Sequence, residues 1–284
     1  MNSAQSMQPL VLTGDELNIR ARLDSPAFEI VAFSDRSPAK ITANEDSALA
    51  MTYGTDAVVV AVADGAGGLP AGQRASNTAV AALRNALEQA EREKVLLRTA
   101  ILNGIEAANA AVMSLSNGSA TTLTVVGADE DSARSFHVGD SSALLIGQRG
   151  KLKFQTIAHS PTGFAVEAGF LEETEALFHS ERHVVSNFLG DSEMRIDVGA
   201  STRFAQFDTL VVASDGLTDN VRVDEITEAV RKGPITSALQ RLTLEARQRM
   251  LGTDSGQPCK PDDLTVLLMR RRRPAKKKAS EAAD

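Results

Sequence analysis

The stretch that decides the fold of this chain runs from residue 58 to residue 68 and reads Val58-Val59-Val60-Ala61-Val62-Ala63-Asp64-Gly65-Ala66-Gly67-Gly68. Its apolar start is rich in valine and almost uninterrupted, which is typical of a strand covered on both faces. The run ends at Asp64, and a carboxylate beside a buried strand needs a metal ion, a basic side chain or a helix amino terminus near it. The glycines permit positive φ and close approach of the backbone to a ligand. A surface turn is the alternative, because Asp-Gly is also a common turn dipeptide.

Composition limits the classes to which the protein can belong. The chain has 284 residues, of which 43% are hydrophobic, so it can bury a substantial core. Cys259 is the only cysteine, which excludes a disulfide within the chain and a four-thiolate metal site. No apolar run is long enough to cross a bilayer, and residues 1–15 lack the pattern of a signal peptide. We therefore expect a cytoplasmic protein without a membrane span.

The charge is distributed unevenly along the chain. The net charge is -7, yet basic side chains crowd residues 270–273 and 276–278, so the rest of the chain is strongly acidic. An acidic body argues against nucleic-acid binding as the main function and suits a protein that holds divalent cations. We expect the basic tail, residues 271–284, to be a solvated terminus, with a docking arm for an acidic partner as the alternative.

The periodicity of the chain predicts a single mixed domain. There is no equal-length repeat and no Pro-rich or Ser-rich linker, so we expect one domain from about residue 20 to residue 270, preceded by an N-terminal extension of residues 1–19. Residues Gln148-Arg149-Gly150 predict a hairpin turn. Apolar stripes predict helices over residues 73–93, 95–115, 223–231 and 235–250. Strand patterns cover residues 28–33, 48–51, 58–63, 121–126, 135–139, 143–146, 209–213 and 264–269.

Acidic residues stand beside five of these strands, and their repetition favours a site over a turn. They are Asp46, Asp64, Asp140, Asp215 and Asp262. Oxygen ligands without thiolate suit Mg²⁺ or Mn²⁺ better than Zn²⁺. Such a set can hold two ions about 3.5–4 Å apart and activate a water for in-line attack at phosphorus. A single metal ion or a calcium ion would fit part of the set, but no calcium-loop spacing is present.

Seven ordered motifs resemble those of the metal-dependent type 2C serine/threonine phosphatases of the bacterial type. They span nearly the whole predicted domain. They are Ser34-Asp35 with Asn44-Glu45-Asp46; Val62-Ala63-Asp64-Gly65-Ala66-Gly67-Gly68 with Gly72 and Ala75-Ser76; Thr121-Thr122-Leu123; Val138-Gly139-Asp140-Ser141; His179 through Val184-Val185 to Leu189-Gly190; Ser214-Asp215-Gly216-Leu217; and Asp262-Asp263-Leu264-Thr265.

The resemblance implies an α+β fold, an antiparallel β-sandwich flanked by α-helices on both faces, with Mn²⁺ or Mg²⁺ held at one end as two ions and a possible third. It also implies residue roles. Asp64 would bridge two metals, and the Gly65 carbonyl would bind one of them. Asp215 and Asp262 would complete the coordination of the other, and Asp140 with Asp215 would hold a looser third ion. Glu45 and Asp46 would act through metal-bound water. A metal-bridging hydroxide would then attack the phosphoserine or phosphothreonine phosphorus directly.

Four positions depart from the family pattern. Ile41 stands where members carry a phosphate-gripping arginine, and the adjacent Lys40 can supply a point charge but not a two-pronged contact. Ala66 replaces a histidine common in eukaryotic members. Ser142 and Asp263 replace an arginine and an asparagine. None of these changes removes a proposed metal carboxylate.

These observations predict a metal-dependent protein phosphatase that acts on phosphoserine or phosphothreonine as a monomer and opposes a serine/threonine kinase. A pseudophosphatase, which would bind a phosphorylated partner without turnover, is the alternative suggested by Ile41. Residues 155–190 lie where the family carries a mobile flap, and Gly163 and Gly169 bracket an apolar segment compatible with a lid. An ordinary surface loop and helix would explain the same pattern.

Overall fold

The structure of the chain is a computed structural model, and it describes residues 8–14, 18–38, 40–66, 71–116, 118–252 and 256–272. Gly67 and Gly68 of the fold-deciding stretch, and the basic tail from residue 273 onward, lie outside the described residues. Within the described ranges, no helix is both long and apolar enough to cross a membrane.

The described residues form fourteen strands and seven helices. The strands are β1 Leu10–Leu12, β2 Ile19–Asp24, β3 Phe28–Asp35, β4 Asp46–Tyr53, β5 Ala57–Ala66, β6 Ala120–Thr121, β7 Leu123–Ala128, β8 Ser132–Val138, β9 Ser142–Ile146, β10 Leu152–Gln155, β11 Asp197–Val198, β12 Thr202–Arg203, β13 Thr209–Ala213 and β14 Leu264–Arg271. The helices are α1 Ala71–Arg92, α2 Leu97–Met113, α3 Pro161–Glu167, α4 Glu173–Ala176, α5 Asp215–Thr218, α6 Val223–Val230 and α7 Ile235–Met250.

The strands form two antiparallel sheets. The first follows the order β1-β4-β5-β7-β8-β11, with β12 paired to β8 and β6 paired to β5. The second follows the order β10-β9-β13-β14-β3-β2. The chain crosses from the first sheet to the second between β8 and β9, so the loop that carries Asp140 joins the two sheets.

The two sheets pack face to face, and the central strands are buried on both sides. Along β5, Val58, Val60 and Val62 face a core shared with the second sheet. The residues between them, such as Val59 and Ala61, face α1 and α2. Each side chain of the valine-rich run therefore has an apolar neighbour whichever way it points, which explains why the run does not alternate with polar residues.

Helices cover the outer face of each sheet. The first sheet packs against α1 and α2, whose buried stripe includes Ala79, Leu83 and Ile105. The second packs against α5, α6 and α7, with Leu239 and Leu242 in the contact. This arrangement is the predicted antiparallel β-sandwich with helices on both faces, so the predicted fold class is confirmed.

The predicted helices are all present, whereas β2, β10, β11 and β12 were not predicted, and further details differ. Asp64 and Gly65 lie inside β5, so the fold-deciding stretch continues as a strand where a turn was the alternative. A one-turn helix, α5, begins at Asp215, and the extended residue Ser214 is its N-cap. Residues 10–12 form β1, which pairs with β4, although the N-terminal segment shows no clear periodicity. The domain boundaries remain a prediction.

Candidate metal centre

The five predicted acidic residues lie at one end of the sandwich, because the strands that carry them end there. Asp46 begins β4, and the antiparallel register places it opposite Asp64 near the end of β5. In the second sheet, Asp215 follows β13 and Asp262 precedes β14, its antiparallel partner. Asp140 lies in the β8–β9 loop between the sheets. Each of the other four raises the pKa of Asp64 through its negative charge, so the fold brings the predicted set together.

The backbone at Asp64 is held by the two threonines of the Thr121-Thr122 motif. The Asp64 carbonyl accepts hydrogen bonds from the Thr122 amide and the Thr121 hydroxyl, each at 2.8 Å. The Asp64 amide donates to Thr122 Oγ1 at 3.0 Å. Thr122 Oγ1 in turn lies 2.7 Å from Ser141 Oγ, beside Asp140. The motif therefore fixes the position of Asp64 relative to the loop of Asp140.

The glycines of the two Asp-Gly pairs are explained by close backbone contact. A Cβ on Gly65 would lie 2.1 Å from the Gly72 carbonyl oxygen, and a Cβ on Gly216 would lie 1.9 Å from the Asp263 carbonyl oxygen. Neither Gly65 nor Gly216 has a positive φ. Of the two reasons that the sequence suggests for these glycines, close approach is therefore the one that applies.

Burial and mutual repulsion raise the pKa of most of these carboxyl groups. Asp46 is fully buried, and burial together with the charge of Asp263 raises its pKa. Burial and Asp46 raise the pKa of Asp64, although this residue keeps some contact with the cleft. Burial and Asp215 raise the pKa of Asp140 to about 8 and that of Asp262 to about 7. These shifts are typical of carboxyl groups that are buried close to one another.

Several carboxylate oxygens of the cluster are buried without a hydrogen-bond partner in the described structure. They include Asp46 Oδ1, Asp215 Oδ1 and Glu45 Oε1. Buried polar atoms are nearly always satisfied, so unpaired anionic oxygens indicate a missing cation. The donor set, oxygen without sulfur or imidazole, fits Mg²⁺ or Mn²⁺. Among the described residues, however, no group of three or more acidic, histidine or cysteine side chains is arranged to hold a metal ion as it stands.

The side chain of Lys260 lies among the carboxylates of the cluster and pairs with three of them. Its ammonium forms an ion pair with Asp215 and lies 2.7 Å from Asp219 Oδ2 and 3.2 Å from Asp262 Oδ2. Burial opposes the charge on Lys260, but the carboxylates outweigh burial and raise the pKa of the ammonium. Neither Lys260 nor Asp219 was predicted as part of the site, and their only signal in the sequence is their spacing of two and four residues from the predicted ligands Asp262 and Asp215.

A second lysine, Lys40, neutralises the other side of the cluster. Lys40 Nζ donates to Glu45 Oε2 at 2.6 Å and to Asp263 Oδ2 at 2.5 Å. Asp263, which replaces the family's asparagine, is only 3% exposed and also accepts from the amides of Ser37 and Glu45. Lys40 thus compensates the extra charge of Asp263. Its predicted contact with a substrate phosphate stays a prediction, and that contact would compete with these two carboxylates.

A cavity of about 590 Å³ opens directly beside the acidic cluster. Asp140, Asp215 and Asp219 line it together with residues of α3 and α4. Arg182 and Arg222 also line the cavity, and Arg222 Nη2 lies 3.0 Å from Glu225 Oε1. Residues 155–190, the predicted flap segment, therefore form one wall of the cavity.

An antiparallel double sheet between helices, with an oxygen-only acidic cluster at one end, defines the class of metal-dependent phosphatases. The sequence profile of the family described as "Protein phosphatase 2C" matches residues 39–251, and the chain belongs to this family. It is therefore an enzyme, a protein phosphatase.

Bacterial proteins are among the relatives of the chain. The serine/threonine phosphatase stp of Listeria monocytogenes is 28% identical over 241 residues, covering 80% of this chain and 90% of that protein. The crystal structure of Stp1 from Staphylococcus aureus is similar with a TM-score of 0.74 and 25% identity, over 92% of this chain and all of that one. The catalytic domain of PstP, solved with two manganese ions, has a TM-score of 0.69 and 25% identity over 87% of this chain and 99% of that one.

Proposed function

We propose that this chain is a Mn²⁺- or Mg²⁺-dependent phosphatase that hydrolyses phosphoserine and phosphothreonine in proteins and opposes a serine/threonine kinase. The observation that carries the proposal is the buried acidic cluster itself, because Asp46 and Asp215 each keep a buried, unpaired carboxylate oxygen, and Asp215 also lines the cavity. The names of the relatives support the substrate class. We further propose that the protein acts in the cytoplasm as a monomer.

Asp64, Asp215, Asp262 and the Gly65 carbonyl would hold the two ions, and Asp140 with Glu45 would complete the surroundings. When bound, the ions supply positive charge that activates water and neutralises the phosphate oxygens. Asp46 would orient the attacking water, because Ser214 Oγ donates to its Oδ2 at 2.7 Å while its Oδ1 stays free. The fixed backbone at Asp64 would keep these groups aligned during the reaction.

The cavity would receive the phosphorylated segment of the substrate. Arg182 and Arg222 line it, and either guanidinium could attract the substrate phosphate or flanking acidic residues. This charge would offset the absence of an arginine at position 41, where Ile41 is 92% exposed. We propose that residues 155–190 move as a lid and select among substrates, as the bracketing glycines predict.

Binding without turnover is the second candidate function, and Lys40 is the observation that favours it. The Lys40 ammonium is already engaged by Glu45 and Asp263, so neither position 40 nor position 41 offers a free cation to the phosphate. A pseudophosphatase would keep metal-dependent peptide affinity and release no phosphate.

The test compares hydrolysis of para-nitrophenyl phosphate and of a phosphothreonine peptide by the wild type and by Asp215→Ala, with Mn²⁺ and with a chelator. We expect turnover only for the wild type with Mn²⁺. Equal rates in every condition would contradict the proposal. Tight Mn²⁺-dependent binding of the peptide without phosphate release would establish the second candidate instead.

A further inference from the structure

Lys260 is held in place by a backbone clamp and is not a mobile surface lysine. The Lys260 amide donates to Asn220 Oδ1, and its carbonyl accepts from Asn220 Nδ2, both at 2.9 Å. Asn220 is fully buried and also donates to the Gly216 carbonyl at 2.9 Å. Arg249, itself 5% exposed, donates to the Asn220 carbonyl at 2.7 Å. The clamp therefore ties Lys260 to the Asp215-Gly216 pair at the start of α5.

The neighbouring peptide group links the same segment to the wall of the cavity. The carbonyl of Cys259 accepts a hydrogen bond from Arg182 Nη2 at 3.1 Å. Arg182 lines the cavity together with Asp215 and Asp219, and although burial raises the pKa of Asp219, the charge of Arg182 lowers it by a smaller amount. The Lys260 backbone is thus restrained from the core by Asn220 and from the cavity wall by Arg182.

The Lys260 ammonium contacts only some of the carboxylate oxygens around it. It contacts Oδ2 of Asp215, whereas Oδ1 of Asp215 is buried and unpaired. It also neutralises Asp219, which belongs to no predicted metal-ligand set. Asp262 turns Oδ2 to Lys260, and its Oδ1 accepts from the Asp263 amide at 2.9 Å. One oxygen of Asp215 is consequently free for a divalent ion while the other is occupied by a permanent cation.

We propose that the Lys260 ammonium is a resident cation of the metal centre that takes the place of a third divalent ion between Asp215, Asp219 and Asp262. The inference rests on the proposed function, because it assumes that Asp215 Oδ1 holds one of two ions. A positive charge a few ångströms from this position repels a further Mn²⁺ and lowers its affinity. The centre then binds two ions with a lysine as the third positive group.

Metal counting tests the proposal without an activity readout. Wild type, Lys260→Met, Lys260→Gln and Lys260→Arg are dialysed to equilibrium against MnCl₂, and bound manganese per chain is measured by atomic emission. Lys153→Met is the matched control, because Lys153 Nζ pairs with Asp208 at 2.5 Å and is 22% exposed, close to the 18% of Lys260. Asp208 stands at the opposite end of β13 from Asp215.

Lys260→Met and Lys260→Gln are expected to bind one more Mn²⁺ per chain than the wild type, with an affinity for this ion at least about ten-fold higher. Lys260→Arg and Lys153→Met are expected to match the wild type. If a neutral variant unfolds in chelator, it is refolded with Mn²⁺ before counting, and one additional ion per chain is still the expected result.

Equal manganese counts and affinities in all variants would overturn the role of Lys260 and leave the proposed function intact. Failure of the wild type and every variant to bind manganese would instead overturn the proposed function, and this inference with it. The two failures are therefore distinguishable in one experiment.

Discussion

Two clusters of charged side chains lie close together in the fold and differ in how their acids are compensated. In the metal centre, burial and neighbouring carboxylates raise the pKa of Asp64 and Asp140, and several oxygens lack partners. In the arginine cluster, defined by Arg249, Glu225 and Glu245, hydrogen bonds from Arg249 hold the pKa of Glu225 below its ordinary value. Charge left unsatisfied in the fold indicates a binding function, whereas satisfied charge indicates a structural one.

The two clusters touch through Asn220, which accepts from Arg249 on its carbonyl and clamps Lys260 with its side chain. The arginine cluster can therefore be regarded as the rigid support of the metal centre. Removal of a charge should destabilise the protein in the arginine cluster, because an ion pair is lost. Removal of a carboxylate from the metal centre should not destabilise the metal-free protein, because a repulsion is lost.

The largest expected effect is that of Asp64→Asn. The change should lower Mn²⁺-dependent hydrolysis of para-nitrophenyl phosphate about a thousand-fold or more, because the carboxylate proposed to touch both ions is lost. Thermal stability in chelator should not fall, since the change removes a negative charge from a repulsive cluster.

Asp56→Asn is the control for this change, because Asp56 is exposed at the opposite end of β5. It should retain wild-type turnover. Retained turnover in Asp64→Asn would show that the chemistry takes place elsewhere.

Arg249→Met should have the next largest effect, on stability. Its side chain is 5% exposed and pairs with Glu225 and Glu245, so its removal should cost about 3 kcal/mol in the free energy of unfolding. Urea denaturation in chelator measures the change. Arg84→Met, which breaks a largely exposed pair with Glu88, should cost less than about 1 kcal/mol. Equal losses of unfolding free energy in the two variants would show that the ion pairs of Arg249 contribute no more to stability than an exposed pair.

Glu225→Gln should destabilise the protein by about 1–2 kcal/mol at pH 7, because a hydrogen bond between charged groups becomes a neutral one. Arg249, and then the Arg222 amide, lower the pKa of Glu225 from its ordinary 4.5, against the effect of burial. The stabilisation is therefore full above pH 4.5 and is lost as the pH falls through the folded-state pKa.

Urea denaturation at pH 7 and at a pH below 4.5 checks this prediction. The difference between Glu225→Gln and the wild type should shrink in the acid. A difference that stayed constant across this range would show that Glu225 is not held ionised by Arg249.

The smallest effect is expected for Ile41→Arg, which adds a cation on the substrate side of the metal centre. The position is 92% exposed, so the change should leave stability unaltered. KM for a phosphothreonine peptide should fall roughly three- to ten-fold through a two-pronged phosphate contact. Ile41→Gln supplies length without charge and should leave KM as it is. An unchanged KM in Ile41→Arg would indicate that the cavity arginines already satisfy the phosphate.

The sequence by itself predicted the buried strands and the acidic residues at their ends, whereas the sandwich that joins them was implied by the resemblance to the type 2C phosphatases. The valine-rich run of β5 and its counterpart in β13 have no polar face, and only a strand between two layers buries both faces. Helical stripes of period 3.6 located α1, α2, α6 and α7 almost to the residue. Carboxylates at successive strand ends indicated a cation site, because strand ends of a sandwich meet at its edges.

Only the tertiary structure shows which basic side chains neutralise these carboxylates. Lys260 meets Asp215 across 45 residues and Lys40 meets Asp263 across 223, and no local pattern predicts such pairs. The reason for Gly65 and Gly216 was likewise hidden, because it depends on which backbone passes within van der Waals distance. Periodicity records which side of an element is buried, whereas the partner of a buried charge depends on where distant segments finally pack.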